Sequence, residues 1–130
     1  GGVELIDDSY NANPASMHAA LRAFAGATKP GRKFVLLGEM LELGQSSGAA
    51  HKGLLDTLGA FDGCFLVGAG FAEWSNSDSH FSAKADDQLL ERLSNTLQPG
   101  DTLLIKGSNQ VFWASSFVQQ LAQALQTKRA

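Results

Sequence analysis

The sequence predicts an α/β domain, a mostly parallel sheet with helices packed on it. Three observations carry that reading. Short apolar runs alternate with helical patterns. The runs are near-continuous, as in Phe34-Val35-Leu36-Leu37, and the links between elements are short. A strand that is apolar on both sides suits a sheet covered on both faces. Strand–helix alternation implies right-handed β-α-β crossovers.

The elements follow in order. Val3 to Ile6 reads as a first strand ending at Asp7-Asp8. Asn13-Pro14 then opens a helix, because asparagine caps well and proline at the first helical position lacks only an N–H that would have no partner there. Met17, Leu21 and Phe24 follow at helical spacing. Lys29-Pro30-Gly31 breaks the pattern, and Lys33 to Gly38 is a buried strand. Ser46 or Ser47 is a candidate cap for a helix carrying Ala50, Leu54, Leu55 and Leu58 on its apolar face. Gly63 to Gly68 is a third strand, followed by a short helix around Phe71 to Trp74 and a polar loop from Ser75 to Ser79. His80 to Ala83 is a weak strand. Asp86 to Leu97 is a helix with Leu89, Leu90, Leu93 and Leu97 on one face. Pro99-Gly100-Asp101 turns into the last strand, Thr102 to Gly107. A closing helix is expected from about Gln110 to Gln126, with Val111, Val118, Leu121, Ala122 and Leu125 inward.

The 130 residues suit a single domain. A net charge of −3 argues against a nucleic-acid partner held by a basic face. No apolar run approaches the roughly 20 residues of a membrane span. The lone cysteine, Cys64, sits in an apolar run and reads as a buried thiol with no disulfide to make. That favours a reducing, cytoplasmic setting. The opening Gly1-Gly2-Val3 looks like a cut from a longer protein.

In open α/β sheets, ligands bind beyond the carboxyl ends of the strands. Four segments stand there, Gly68 to Gly70 among them, and the other three carry candidate side chains. Asp7-Asp8-Ser9-Tyr10-Asn11-Ala12-Asn13-Pro14 crowds polar groups onto a strand-to-helix turn, where they could meet ribose hydroxyls or a phosphate-bearing ligand, or serve as turn and cap. Gly38-Glu39-Met40-Leu41-Glu42-Leu43-Gly44 puts Glu39 just after a buried strand, as a ligand contact or a solvated carboxylate. Lys106-Gly107-Ser108-Asn109 ends a buried strand on a lysine that could neutralise a carboxylate or phosphate, or snorkel to solvent. His18, His51 and His80 show no metal-ligand spacing, and no metal site is expected. His51 could reach the carboxyl edge or pack within its helix. No P-loop, G-x-G-x-x-G or G-x-S-x-G pattern is present, and Gly68-Ala69-Gly70 is only a fragment of the second.

In that order, the D-D-S-Y-N-A-N-P run, the G-E-M-L-E-L-G run and Lys106-Gly107-Ser108 resemble the Mur ligases across nearly the whole chain. Within that family they are most similar to the branch joining D-alanyl-D-alanine to UDP-N-acetylmuramoyl-tripeptide. A D-N-P-R motif, carried by the branch that adds a diamino acid, is absent. Asn109 stands where relatives often have a basic residue.

The resemblance implies that residues 1–130 form a Rossmann-like three-layer domain, the third of a three-domain enzyme. It implies an ATP-dependent ligase of peptidoglycan synthesis working through an acyl phosphate. ATP and Mg2+ would be held mainly by a central domain outside this chain, so the chain alone would be inactive and hold no catalytic residue. Asp8, Tyr10, Asn11 and Asn13 would face ATP. Glu39, His51, Lys106, Gly107 and Ser108 would serve substrate binding. The expected setting is the bacterial cytoplasm, as a monomer, with no nucleic acid and no membrane insertion. Two alternatives are another member of the ligase superfamily and a stand-alone nucleotide-binding regulatory module.

Overall fold

In the computed structural model, the described residues are 2–8, 13–40, 43–72, 80–82, 84–107 and 116–129. The strands are β1 (Glu4–Asp8), β2 (Lys33–Gly38), β3 (Gly63–Val67), β4 (His80–Ser82) and β5 (Thr102–Lys106). The helices are α1 (Pro14–Gly26), α2 (Ser47–Leu55), α3 (Ala69–Ala72), α4 (Asp87–Thr96) and α5 (Phe117–Arg129). The strands form one five-stranded sheet in the order β1-β5-β2-β3-β4. Every pairing is parallel.

The sheet is covered on both faces, as its apolar strands require. Val35, Leu37, Cys64, Leu66 and Leu104 point to one side and meet Met17, Leu21 and Phe24 of α1, Leu54 of α2 and Phe71 of α3. Phe34, Leu36, Phe65, Val67, Leu103 and Ile105 point to the other and meet Leu89 and Leu93 of α4 and Phe117, Leu121 and Leu125 of α5. Adjacent residues on β2, β3 and β5 thus serve opposite cores, following the two-residue period of a strand. Among the described residues, no helix is long and apolar enough to cross a membrane.

Local chemistry explains the helix starts. Asn13 Oδ1 accepts from Ser16 N at 2.9 Å while Ser16 Oγ accepts from Asn13 N at 3.1 Å, a reciprocal capping box with Pro14 at the first helical position. Asp86 caps α4 by accepting from Leu89 N at 3.1 Å. α2 begins differently. The Ser46 side chain makes no cap hydrogen bond, and a 3-10 turn over Gly44–Ser46 leads into the helix instead.

Several boundaries depart from the sequence reading. β1 runs on through Asp8, and α3 starts at Ala69 rather than Phe71. α2 ends at Leu55, so Leu58 lies in a separate 3-10 turn, although it still packs on the α1 side. Ser116 has φ +54°, so no continuous helix runs through it, and the last helix starts at Phe117. That start adds Phe117, absent from the expected inward face, to the core. The expected helix start at Gln110, Val111, the Ser75 to Ser79 loop and Ala83 lie outside the described residues.

The amino edge of the sheet is stapled. Asp101 accepts from Arg32 Nη2 at 2.8 Å, from Arg32 Nε and N at 3.2 Å, and from Gln98 N at 2.8 Å. Burial pushes the Asp101 carboxyl up, but the hydrogen bonds from Arg32 and Gln98 outweigh it and hold it below the ordinary carboxylate value. The same bond raises the Arg32 guanidinium. Beside it, a Cβ on Gly31 would lie 2.4 Å from Gly100 O, so only glycine permits this backbone approach.

Candidate functional site

Strand order creates the site. α1 crosses from β1 to β2 on one face, whereas α5 follows β5 on the other, yet β1 and β5 are neighbours. Connections leaving adjacent strands in opposite directions open a crevice at their carboxyl ends, the preferred ligand position in such sheets.

The end of β5 stands at this switch point in the strand order. Asp8 and Lys106 are register partners across β1 and β5, and Leu37 on β2 is the register partner of Lys106 on its other side. Lys106 Nζ donates to Asp8 Oδ2 at 3.0 Å. Lys106 is only 3% exposed. The Asp8 side chain keeps 47% of its surface. A lysine at the end of an otherwise apolar strand is therefore turned inward to a carboxylate rather than snorkelling to solvent. The pair offers a ligand two opposite charges side by side, a half-open acceptor and a sheltered cation. Gly107, next along, is buried.

A second cluster lies on the other side of β5, where β2 leaves the sheet. Glu39 N donates to Val67 O at 2.9 Å, and the Glu39 carboxylate accepts from Gly70 N at 2.6 Å. His51 is completely buried on α2. Its Nε2 accepts from Met40 N at 2.9 Å, which places the ring proton on Nδ1, donating to Ser47 O at 2.7 Å. The ring meets Phe71 edge-on at 4.7 Å between centroids. Glycines make room for this packing. A Cβ on Gly68, whose φ is +108°, would stand 2.6 Å from the Glu39 side chain, and one on Gly70 would stand 2.5 Å from His51 Nε2.

The structure thus joins Asp8 to Lys106 and, separately, ties Glu39 to Gly70 and His51 to Met40. Both His51 ring nitrogens are occupied by backbone of this chain. Asn13 is at the carboxyl edge with its amide oxygen committed to the cap. Tyr10, Asn11 and Ser108 lie outside the described residues. Among the described residues, no group of three or more His, Cys, Asp or Glu is placed to hold a metal ion. The sequence reading noted Gly68 to Gly70 at the carboxyl edge and Ser47 as a candidate cap, but not that Gly68 and Gly70 make room for Glu39 and His51 or that Ser47 O holds His51. Their signals were a Gly-Ala-Gly directly after a strand and a serine four residues before a histidine on one helix.

Residues 1–109 match the family described as Mur ligase, glutamate ligase domain. The chain belongs to this family. Similar curated members include the UDP-N-acetylmuramoyl-tripeptide–D-alanyl-D-alanine ligase of Bacillus subtilis, 34% identical over 118 residues, covering 82% of this chain and 25% of the relative. The enzyme of that description from Escherichia coli (strain K12) is 34% identical over 129 residues, covering 94% of this chain and 26% of the relative. Among solved structures, a MurF ligase from Thermotoga maritima in complex with ADP superimposes with a TM-score of 0.82 at 29% identity, covering 98% of this chain and 30% of that one. MurF from Acinetobacter baumannii gives a TM-score of 0.72 at 26% identity, covering 91% of this chain and 28% of that one. The chain therefore spans about a quarter of the length of these curated relatives. The Mur ligase resemblance and the α/β fold expected from the sequence both hold.

Proposed function

We propose that this chain works as the C-terminal domain of a three-domain, ATP-dependent ligase that joins D-alanyl-D-alanine to UDP-N-acetylmuramoyl-tripeptide in peptidoglycan synthesis in the bacterial cytoplasm. The observation that carries the reading is the Asp8–Lys106 pair, 3.0 Å apart at the point where the connections diverge. It is supported by the ligases among the relatives and by the ADP complex of a structural neighbour.

In this reading, the half-open Asp8 carboxylate accepts from the ribose hydroxyls of ATP. Tyr10, Asn11 and Asn13 line the same side of the cleft. Lys106, with Gly107 and Ser108, receives the dipeptide, whose carboxylate suits a sheltered ammonium. Glu39 and His51 serve the same subsite. The tripeptide carboxylate would attack the γ-phosphorus of the substrate ATP, releasing ADP and giving an acyl phosphate, and the dipeptide amine would then displace phosphate and lose a proton; Mg2+ would be held mainly by a central domain. This domain contributes position rather than a reacting group. Holding two substrates across a closing domain gap removes much of the entropic barrier. The enzyme acts as a monomer, and the chain alone is inactive.

The deciding measurement is phosphate release by the full-length protein containing this chain, given ATP, Mg2+, UDP-N-acetylmuramoyl-tripeptide and D-alanyl-D-alanine. Dipeptide-dependent release, lost in Asp8→Ala and Lys106→Ala and absent from the chain alone, is expected. Release indifferent to the dipeptide sinks the substrate assignment.

A further inference from the structure

We propose that Glu39 and His51 are positioning residues for the dipeptide subsite, acting through hydrogen bonds within the chain and not by touching substrate. The inference rests on the ligase reading above. Its starting point is the register of β2 with β5. Leu37 is the partner of Lys106, so the segment Gly38-Glu39-Met40 leaves the sheet beside the end of β5 that carries Lys106. Whatever fixes that segment fixes one wall of the space that Lys106 serves.

Two side chains hold it from different elements. Glu39 reaches to Gly70 N on α3, and its own N–H is tied to Val67 O at the end of β3. His51 takes the next N–H, that of Met40, on Nε2. Its other nitrogen is held by Ser47 one turn earlier on α2, and its ring is braced by Phe71. The two clamps share one site of contact. Gly70 donates to Glu39, and a methyl group in place of its hydrogen would meet His51 Nε2 at 2.5 Å. Three elements thus converge on two consecutive residues. A carboxylate whose task is to accept one backbone N–H needs an oxygen there but not a charge, because a carboxamide oxygen accepts equally from an N–H. A carboxylate that meets a cation or a substrate needs the charge. This difference makes the two roles separable.

The test uses the full-length protein containing this chain, with three variants, Glu39→Ala, Glu39→Gln and Gly70→Ala, read by phosphate release and by thermal unfolding. Dipeptide-dependent release by the unmodified protein checks the ligase reading itself, and its failure there leaves the variants uninterpreted as a test of dipeptide positioning only because that reading has already been overturned. With it in hand, Glu39→Ala and Gly70→Ala are expected to raise KM for D-alanyl-D-alanine about tenfold, the scale of a small misplacement of a binding group, with KM for ATP unchanged. Glu39→Gln is expected to restore the original KM for the dipeptide. Gly70→Ala leaves both Glu39 and His51 in the sequence and disturbs only their packing, through a methyl that meets His51 Nε2 at 2.5 Å, so a matching defect would support positioning by the pair. Should Gly70→Ala fail to fold, the Glu39 pair decides alone. A Glu39→Gln as damaging as Glu39→Ala shows that the charge is what matters and overturns the proposal. So does a rise confined to KM for ATP, or no change in any variant.

Discussion

Lys106 and Asp8 are 98 residues apart in sequence and 3.0 Å apart at their charged ends. One is sheltered by the sheet, and the other is half open to solvent. Removing Asp8 withdraws an acceptor from a buried ammonium, while removing the ammonium leaves an anion that water can reach. Asp8→Ala is therefore expected to cost about 1–3 kcal/mol in urea unfolding. Lys106→Met, which keeps the buried stem, is expected to stay within about 1 kcal/mol of the original, since the Asp8 carboxylate left behind is half open to water. In the full-length protein, both variants lose dipeptide-dependent phosphate release. A Lys106→Met variant with full activity would remove Lys106 from the site.

Asn13 has two candidate duties, and one substitution separates them. Its side-chain oxygen caps α1 through Ser16 N. Asn13→Ala is expected to lose about 1 kcal/mol of stability. Asn13→Asp retains the acceptor and adds a charge that the helix N-terminus favours, so its unfolding midpoint is expected to match or exceed the original. A rise in KM for ATP in a stable Asn13→Asp variant would place the amide group on the nucleotide side.

The amino edge sets an acid limit. Asp101 is held below its ordinary value of 3.8 by Arg32 and Gln98 despite its burial. A carboxyl depressed on folding contributes stability that is present in full above its unfolded pKa and is lost as pH falls through the lower folded value. Unfolding free energy is expected to level off above about pH 5 and fall below about pH 4. In Asp101→Asn that acid-dependent part is expected to shrink, with a loss near neutral pH of about 1–2 kcal/mol, since Arg32 is half exposed and the amide oxygen can still accept a hydrogen bond. An unaltered acid slope in the variant would assign the loss to other carboxyls.

Three glycines should rank by geometry. Gly31→Ala drives a methyl to within 2.4 Å of Gly100 O, which is backbone and cannot swing aside. Gly68→Ala meets both a φ of +108° and the Glu39 side chain. Gly59, in the short turn after α2, has nothing within 4 Å. Thermal unfolding is expected to show losses of about 1–3 kcal/mol for the first two, and no loss or a slight gain for Gly59→Ala.

The core was legible because its signal is local. Met17, Leu21 and Phe24 repeat at the helical period, and Phe34 to Leu37 form a run that only a doubly covered strand can carry. The Asn13-Pro14 start was legible because a cap and its proline act within one turn. The start of α5 was not, because the run from Gln110 to Gln126 keeps a helical composition through Ser116, and the positive φ of that residue leaves no mark in the pattern. In the site, Lys106 could be suspected as a charge ending an apolar strand, but nothing near it in sequence names Asp8. His51 was open to two readings because a buried imidazole and a ligand-facing one look alike until its partners are known.

By itself, the sequence determined which segments become strands and helices, which side chains they bury, and, through three motifs, the family to which the chain belongs. Tertiary structure alone decided that β5 enters between β1 and β2, which pairs Lys106 with Asp8, and that the β2 exit is pinned by α2 and α3, which gives Glu39 and His51 their partners. The physical reason is range. Helix and strand patterns reflect energies among residues a few positions apart, whereas strand order is settled by the packing of whole layers, and a buried polar group takes its partner from whatever that packing brings within about 3 Å.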